Sequence, residues 1–344
     1  MSLIEHFDAE MEVSALSYAA RLLFTDLERE GMIERALESL ADLGHSDKVG
    51  LFILDRAKGD LISQGCMKDC KAVVTCLPVP LANTPLEEVV RNKRPANYGL
   101  AEFEGLPWPV KKGGQPGRQC FCAPLVAVDF EVVGLVTLDH PNNISFEAAE
   151  AQPFITYLAL LALGMETARL FRLAVTDGLT GLYVRRYFDL RLSEELGRIN
   201  RYGGQVAILL MDLDHFKKIN DTYGHIFGDE VLKRTAVALT KAARRKIDIV
   251  CRYGGDEMII ILPGADLHGA QEMGERIRQG LESQMPQGPV GPVPVTISGG
   301  VAAVSGPTEI SAQDLFAQAD RALYLAKQSG RNRIEVYQDE LEQL

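Results

Sequence analysis

The residues with the most to offer chemically are carboxylates in two short segments. Asp212-Leu213-Asp214 closes the apolar run from Gln205 to Met211, and Asp256-Glu257 follows Gly254-Gly255 between two β-rich runs, 247–251 and 258–262. Side chains alternate along a strand, so Asp212 and Asp214 are expected on one face at the strand end. Gly254-Gly255 between strands predicts a tight hairpin with positive φ at both glycines. A hairpin tipped with carboxylates beside a strand ending in Asp212 brings hard oxygen ligands to one point. That is the chemistry Mg²⁺ (or Mn²⁺) needs to work on substrate phosphates.

The surrounding residues add detail. Arg252-Tyr253-Gly254-Gly255-Asp256-Glu257-Met258 resembles the signature of the GGDEF family, the diguanylate cyclases that make cyclic di-GMP from two GTP. Thr176-Asp177-Gly178-Leu179-Thr180-Gly181-Leu182, followed by Arg185-Arg186, is similar to that family's domain opening. Asp212 to Asp221 with Gly224-His225 and Gly228-Asp229 is similar to its second block, and Ala326 to Asn332 to its closing block. The resemblance covers about the last half of the chain. It implies a nucleotidyl-cyclase or palm-like sheet surrounded by helices, with Asp212, Asp256 and the Leu213 carbonyl as metal ligands. It implies catalytic roles for Asp256, which would help deprotonate the attacking 3′-hydroxyl, and for Glu257 beside it. Substrate would be held by Phe216, Lys217, Asn220, Asp229, Gly254, Gly255, Lys327 and Arg331: Asn220 and Asp229 at the guanine edge, the cationic side chains at the phosphates. Arg245 and Asp248 have the R-x-x-D spacing of the family's product-inhibition site, with Arg276 as an accessory. Met258 stands where the signature has Phe, and it is expected to pack inward as apolar filling. The implied reaction joins two GTP across a homodimer and releases two pyrophosphates. A degenerate receptor for GTP or cyclic di-GMP is the alternative from another class.

These residues need elements to position them, and the chain has room for two domains. The pattern reads as α+β: a lead-in over 1–20, a GAF-like antiparallel sheet with helices over 21–152, a helical linker over 153–175, and the cyclase-like domain over 176–340. Leu16 to Leu43 has helical spacing, Val49 to Leu54, Cys120 to Val128 and Val132 to Leu138 read as strands, and Thr84 begins a helix. Ser145 opens a long helix in which Leu158, Leu161, Met165 and Ala168 follow a 3-4-3 spacing. That seam suits either packing on its own domain or a dimeric stalk, and the stalk is the expectation. Five cysteines, Cys66, Cys70, Cys76, Cys120 and Cys122, fall in the first domain. Packing explains most such clusters, while a thiol or metal redox sensor is the sharper reading. His45 and His140 are loop histidines with no evident partner, Trp108 between two prolines suggests a ligand-site lid or loop packing, and the domain's input, small molecule or redox, is not legible. The formal charge of −11, with 36 Lys plus Arg against 47 Asp plus Glu, argues against nucleic acid as partner. The most apolar stretch, Pro153 to Met165, is shorter than the roughly 18 residues of a membrane span. With no signal-peptide pattern at the start, the expected location is cytoplasmic.

Overall fold

A computed structural model describes residues 29–338 apart from 45, 47, 57, 69–70, 75, 104–118, 141–151, 285 and 289–290. The lead-in, His45, Cys70, Trp108 and the expected helix start at Ser145 lie outside the described residues. The chain divides into two compact units, residues 1–171 and 172–344.

In the first unit, α1 (Arg29–Leu43) precedes β1 (Val49–Asp55), β2 (Asp60–Lys68), β3 (Lys71–Val74) and β4 (Pro78–Val79). Then come α2 (Pro85–Asn92), β5 (Ala96–Gly99), β6 (Gln119–Val126), β7 (Val132–His140) and α3 (Gln152–Val175). The sheet runs β3-β2-β1-β7-β6-β5, with β4 paired to β2, and every pairing in it is antiparallel. Alternation sends Leu51, Phe121, Ala123 and Val136 to one face, where they form a core with α1 and α3. Phe52, Cys120, Cys122 and Leu135 go to the other, against Leu86 and Val89 of α2. The single antiparallel sheet is as expected. Strands β3, β4 and β5 are additions, each of four residues or fewer.

One expectation is corrected here. Leu158, Leu161, Met165 and Ala168 are all buried in the first unit's own core. The seam covers the face of its own sheet beside α1 and does not point outward as a stalk. The exposed apolar residues of α3 are instead Leu163, Leu170, Phe171 and Leu173.

The second unit contains β8 (Tyr183–Val184), α4 (Arg185–Tyr202), β9 (Gln205–Leu213), α5 (Phe216–Tyr223), α6 (His225–Ala242), β10 (Ile249–Gly254) and β11 (Glu257–Pro263). After these come α7 (Leu267–Ser283), β12 (Gln287–Gly288), β13 (Gly291–Pro292), β14 (Ile297–Ser305), α8 (Ala312–Gln328) and β15 (Ile334–Val336). Its six-stranded sheet has the order β15-β14-β9-β11-β10-β8, parallel only at the two edges. β9 lies at its centre, which is why Val206 to Met211 is continuously apolar and fully buried. Odd residues of β9 pack toward α6 and α7, even ones toward α4 and α8. Ser311 and Asp314 form a capping box at the start of α8. The small β12–β13 pair is antiparallel, with Gln287 opposite Pro292.

Candidate active site

β9 and β11 are neighbours, and their register sets Asp212 directly opposite Glu257. The pairing reaches the hairpin tip, where the Leu213 amide donates to the Asp256 carbonyl at 3.3 Å. Directly opposed residues share a face, so the two acidic segments meet at one end of the sheet. Asp212, 14% exposed, takes an ion pair from Lys327 of α8 at 3.0 Å. Its pKa is nevertheless raised: burial disfavours the charge first, Lys327 opposes that, and the negative charges of Asp256 and Glu257 push it up again. Converging, mutually repelling carboxylates are a donor set that fits a hard divalent cation. Among the described residues no third acidic, His or Cys ligand encloses an ion, so Asp212, Asp256 and the Leu213 carbonyl would leave coordination positions for phosphate oxygens.

The hairpin tip corrects the expected turn. Gly255-Asp256 links the strands, Gly254 pairs with Glu257, and neither Gly254 nor Gly255 is among the residues with positive φ. A Cβ on Gly255 would meet nothing within 4 Å, so the tip is open on that side. The tip is steadied from behind. Arg252 donates to the Gly255 carbonyl from Nε at 3.0 Å and Nη2 at 2.8 Å, and its Nη1 donates to Asp177 at 3.0 Å. The adjacent Tyr253 stacks on Phe316 of α8 at 4.7 Å under the guanidinium of Arg185.

The neighbouring helix pair supplies the remaining expected residues. His215, in the left-handed region at φ 58°, turns the chain into α5. Gly224, with φ 83°, turns it again into α6. Gly228 then lies directly against the Asn220 side-chain amide, and Asp229 is the next residue of α6. Phe216 is half-buried, while Lys217 and Asp229 are exposed. Arg331 sits on a left-handed turn after α8.

The family described as "Diguanylate cyclase, GGDEF domain" matches residues 174–333. The C-terminal half of the chain is a GGDEF domain. Diguanylate cyclase A of Treponema denticola is 34% identical over 226 residues, which are 64% of this chain and 60% of that protein. Response regulator PleD of Caulobacter vibrioides is 44% identical over 164 residues, 47% of this chain and 36% of that protein. The coiled coil and GGDEF domain of DgcB from Caulobacter crescentus, crystallised in complex with c-di-GMP, is 30% identical, with 54% of this chain and 98% of that chain covered and a TM-score of 0.49. The chain spans less than two thirds of the length of the curated relatives it matches.

Three other expectations resolve within the GGDEF domain. Met258 is fully buried in the core against α6 and α7, as its place on β11 requires. Asp248, its side chain 0% exposed, is gripped by Arg244 rather than Arg245, with Nη2 at 2.6 Å and Nε at 3.0 Å. Arg276 of α7 donates to the Ala242 carbonyl at 2.8 Å. Arg244 and Arg276 line one cavity of about 440 Å³ with Gln205, Asp266 and Glu272. Sequence reasoning missed Arg244 because the R-x-x-D spacing selects Arg245, three residues before Asp248, whereas the ion pair in the fold is made from four residues before it. It also left Asp214, Arg252 and Asp177 without roles, although each stood inside a quoted motif.

Among the cysteines, Cys120 and Cys122 are buried free thiols on one face of β6, with sulfurs 3.8 Å apart. Burial first, then its neighbour, pushes the Cys122 thiol up, which favours the unreactive protonated form. Cys251 in β10 is likewise buried, its pKa raised to about 12. No described group of three residues could hold a metal.

Proposed function

We propose that the chain is a diguanylate cyclase, condensing two GTP into cyclic di-GMP and two pyrophosphates across a homodimer. The observation that carries this reading is the meeting of Asp212, Asp256 and Glu257 at one sheet end with Lys327 already on Asp212, inside a GGDEF domain.

Asp212, Asp256 and the Leu213 carbonyl would hold Mg²⁺ or Mn²⁺, and a dication bound there neutralises triphosphate charge. Asn220 and Asp229 take the guanine edge, and the Gly228 contact fixes the amide that reads it. Phe216, Gly254 and Gly255 shape the space for the nucleotide, while Lys217, Lys327 and Arg331 bind phosphates and stabilise charge developing on the transferred group. Asp256 accepts the proton of the attacking 3′-hydroxyl, with Glu257 beside it. Each 3′-oxygen bonds to the other nucleotide's α-phosphorus as its pyrophosphate leaves. Because one domain holds one GTP, positioning two domains face to face is the main catalytic task.

The first unit we read as a GAF-like sensor, supported by its antiparallel sheet between α1 and α3 on one face and α2 on the other. A cavity of about 590 Å³ beside α2 and β5, lined by Glu88, Asn92, Arg94 and Tyr98 among others, offers a small polar ligand a place. Product inhibition is read onto Asp248, Arg245 and Arg276, with Arg244 added because it holds Asp248. No described helix is long and apolar enough to cross a membrane.

Incubation with GTP and Mg²⁺, with products identified by mass, tests the activity. Cyclic di-GMP should form, vanish with a chelator, and fall by a factor of at least about 10³ in Asp256→Ala. GTP binding without turnover, even in forced dimers, would favour the receptor reading instead.

A further inference from the structure

Asp214 closes the Asp212-Leu213-Asp214 segment, yet it has no place in the metal set. It is 4% exposed, and its two oxygens are engaged by three donors. Oδ1 accepts from Ser298 Oγ at 2.7 Å, and Oδ2 from Thr296 Oγ1 at 2.8 Å and from the Asn332 amide at 3.0 Å. The Asn332 amide is also 3.1 Å from Ser298 Oγ. A nearly buried carboxylate is tolerable only when hydrogen-bonded in this way.

The backbone it holds is unusual. Gly330, Arg331 and Asn332 have φ of 110°, 63° and 47° in succession, a region that non-glycine residues avoid unless the surroundings impose it. The turn is imposed from several sides. Asn332 accepts from Arg278 at 3.0 Å and donates to Glu282 at 2.9 Å, and the Arg333 carbonyl accepts from Gly299 at 2.9 Å. Its amide, flanking side chain and exit are all anchored. The Arg331 side chain is exposed, with no ion pair to any described residue. Four residues earlier, Lys327 already sits on Asp212.

We propose that Asp214 is a positioning residue for phosphate binding: it holds the left-handed turn 330–332 in the form that presents Arg331 to the triphosphate. This rests on the reading of the site as a GTP site. A carboxylate suits the task because all three of its partners donate, whereas an asparagine amide puts a donor either against the Ser298 hydroxyl or against the Asn332 amide.

The test measures binding of a non-hydrolysable GTP analogue and of guanosine to the full chain with Mg²⁺. Asp214→Asn should weaken the analogue by about tenfold and guanosine by less than about twofold. Combined with Arg331→Ala, it should cost nothing beyond Arg331→Ala alone, because the two act as one unit. Ser298→Ala, which keeps the carboxylate, should move analogue binding in the same direction by a smaller factor and serves where Asp214→Asn does not fold. Equal losses for both ligands, or additive losses in the double variant, would overturn the proposal in favour of a purely structural Asp214. A wild-type chain that binds no analogue overturns the GTP-site reading and this inference together. Analogue binding without cyclase turnover removes the activity and leaves the positioning role standing on the binding data.

Discussion

Asp177 shows how one carboxylate can be visible in a sequence while its work is not. Burial raises its pKa, but donation from Thr180 and Arg252 outweighs this and holds the carboxyl below its ordinary value. A lowered folded-state pKa means that the stabilisation is complete above the unfolded value, about pH 4, and is lost as pH falls through the folded one. Asp177→Asn should therefore cost roughly 1–2 kcal/mol near neutrality, and the gap between wild type and variant should narrow as pH falls below about 4. Urea melts of both proteins across that range check it; a gap independent of pH would remove the ionic role. The motif around Asp177 was legible because local turn chemistry repeats in sequence. Its partner Arg252 lies 75 positions away, and no spacing rule spans that interval.

At the level of elements, long strands and capped helices were readable and short edge pieces were not. β9 and α8 carry their own signals, a buried apolar run and a capping box. β3, β4, β12 and β13 are strands only because a neighbour offers a ladder. Two glycines separate packing from site geometry. A Cβ on Gly300 would run into the Ala319 carbonyl and the Leu323 amide of α8, so Gly300→Ala should cost about 2 kcal/mol and lower Tm by about 5 °C. A Cβ on Gly228 would strike the Asn220 amide instead. Gly228→Ala should leave Tm within about 2 °C and raise KM for GTP by about tenfold. Scanning calorimetry beside initial-rate kinetics distinguishes them, and the reverse pattern would contradict the placement of Asn220.

For the whole molecule, the GGDEF domain of the C-terminal half was legible, whereas the covered face of α3 was not. An apolar stripe states that something must cover it, without naming what. Here the stripe through Leu158 and Ala168 is satisfied by the first unit's own sheet. Of the exposed apolar residues of α3, Leu163, Leu170, Phe171 and Leu173, Leu163 and Leu170 are seven residues apart and would suit the proposed second copy. The proposed reaction needs that copy, so activity per chain should rise with protein concentration before reaching a plateau. Leu163→Glu with Leu170→Glu should shift the rise to at least about tenfold higher concentration. Rate measurements over a dilution series, paired with sedimentation, show whether it does.

What the sequence by itself determined is the inventory of ligand-type residues, the strand that ends in Asp212 and the glycine-bearing hairpin, because these rest on local periodicity and on side-chain chemistry. What only the tertiary structure decided is which groups meet: Lys327 with Asp212, Arg244 rather than Arg245 with Asp248, and Asp214 with the turn behind Arg331. Those contacts depend on strand order and register across the sheet. A register changes by whole residues while the local pattern of each strand stays the same.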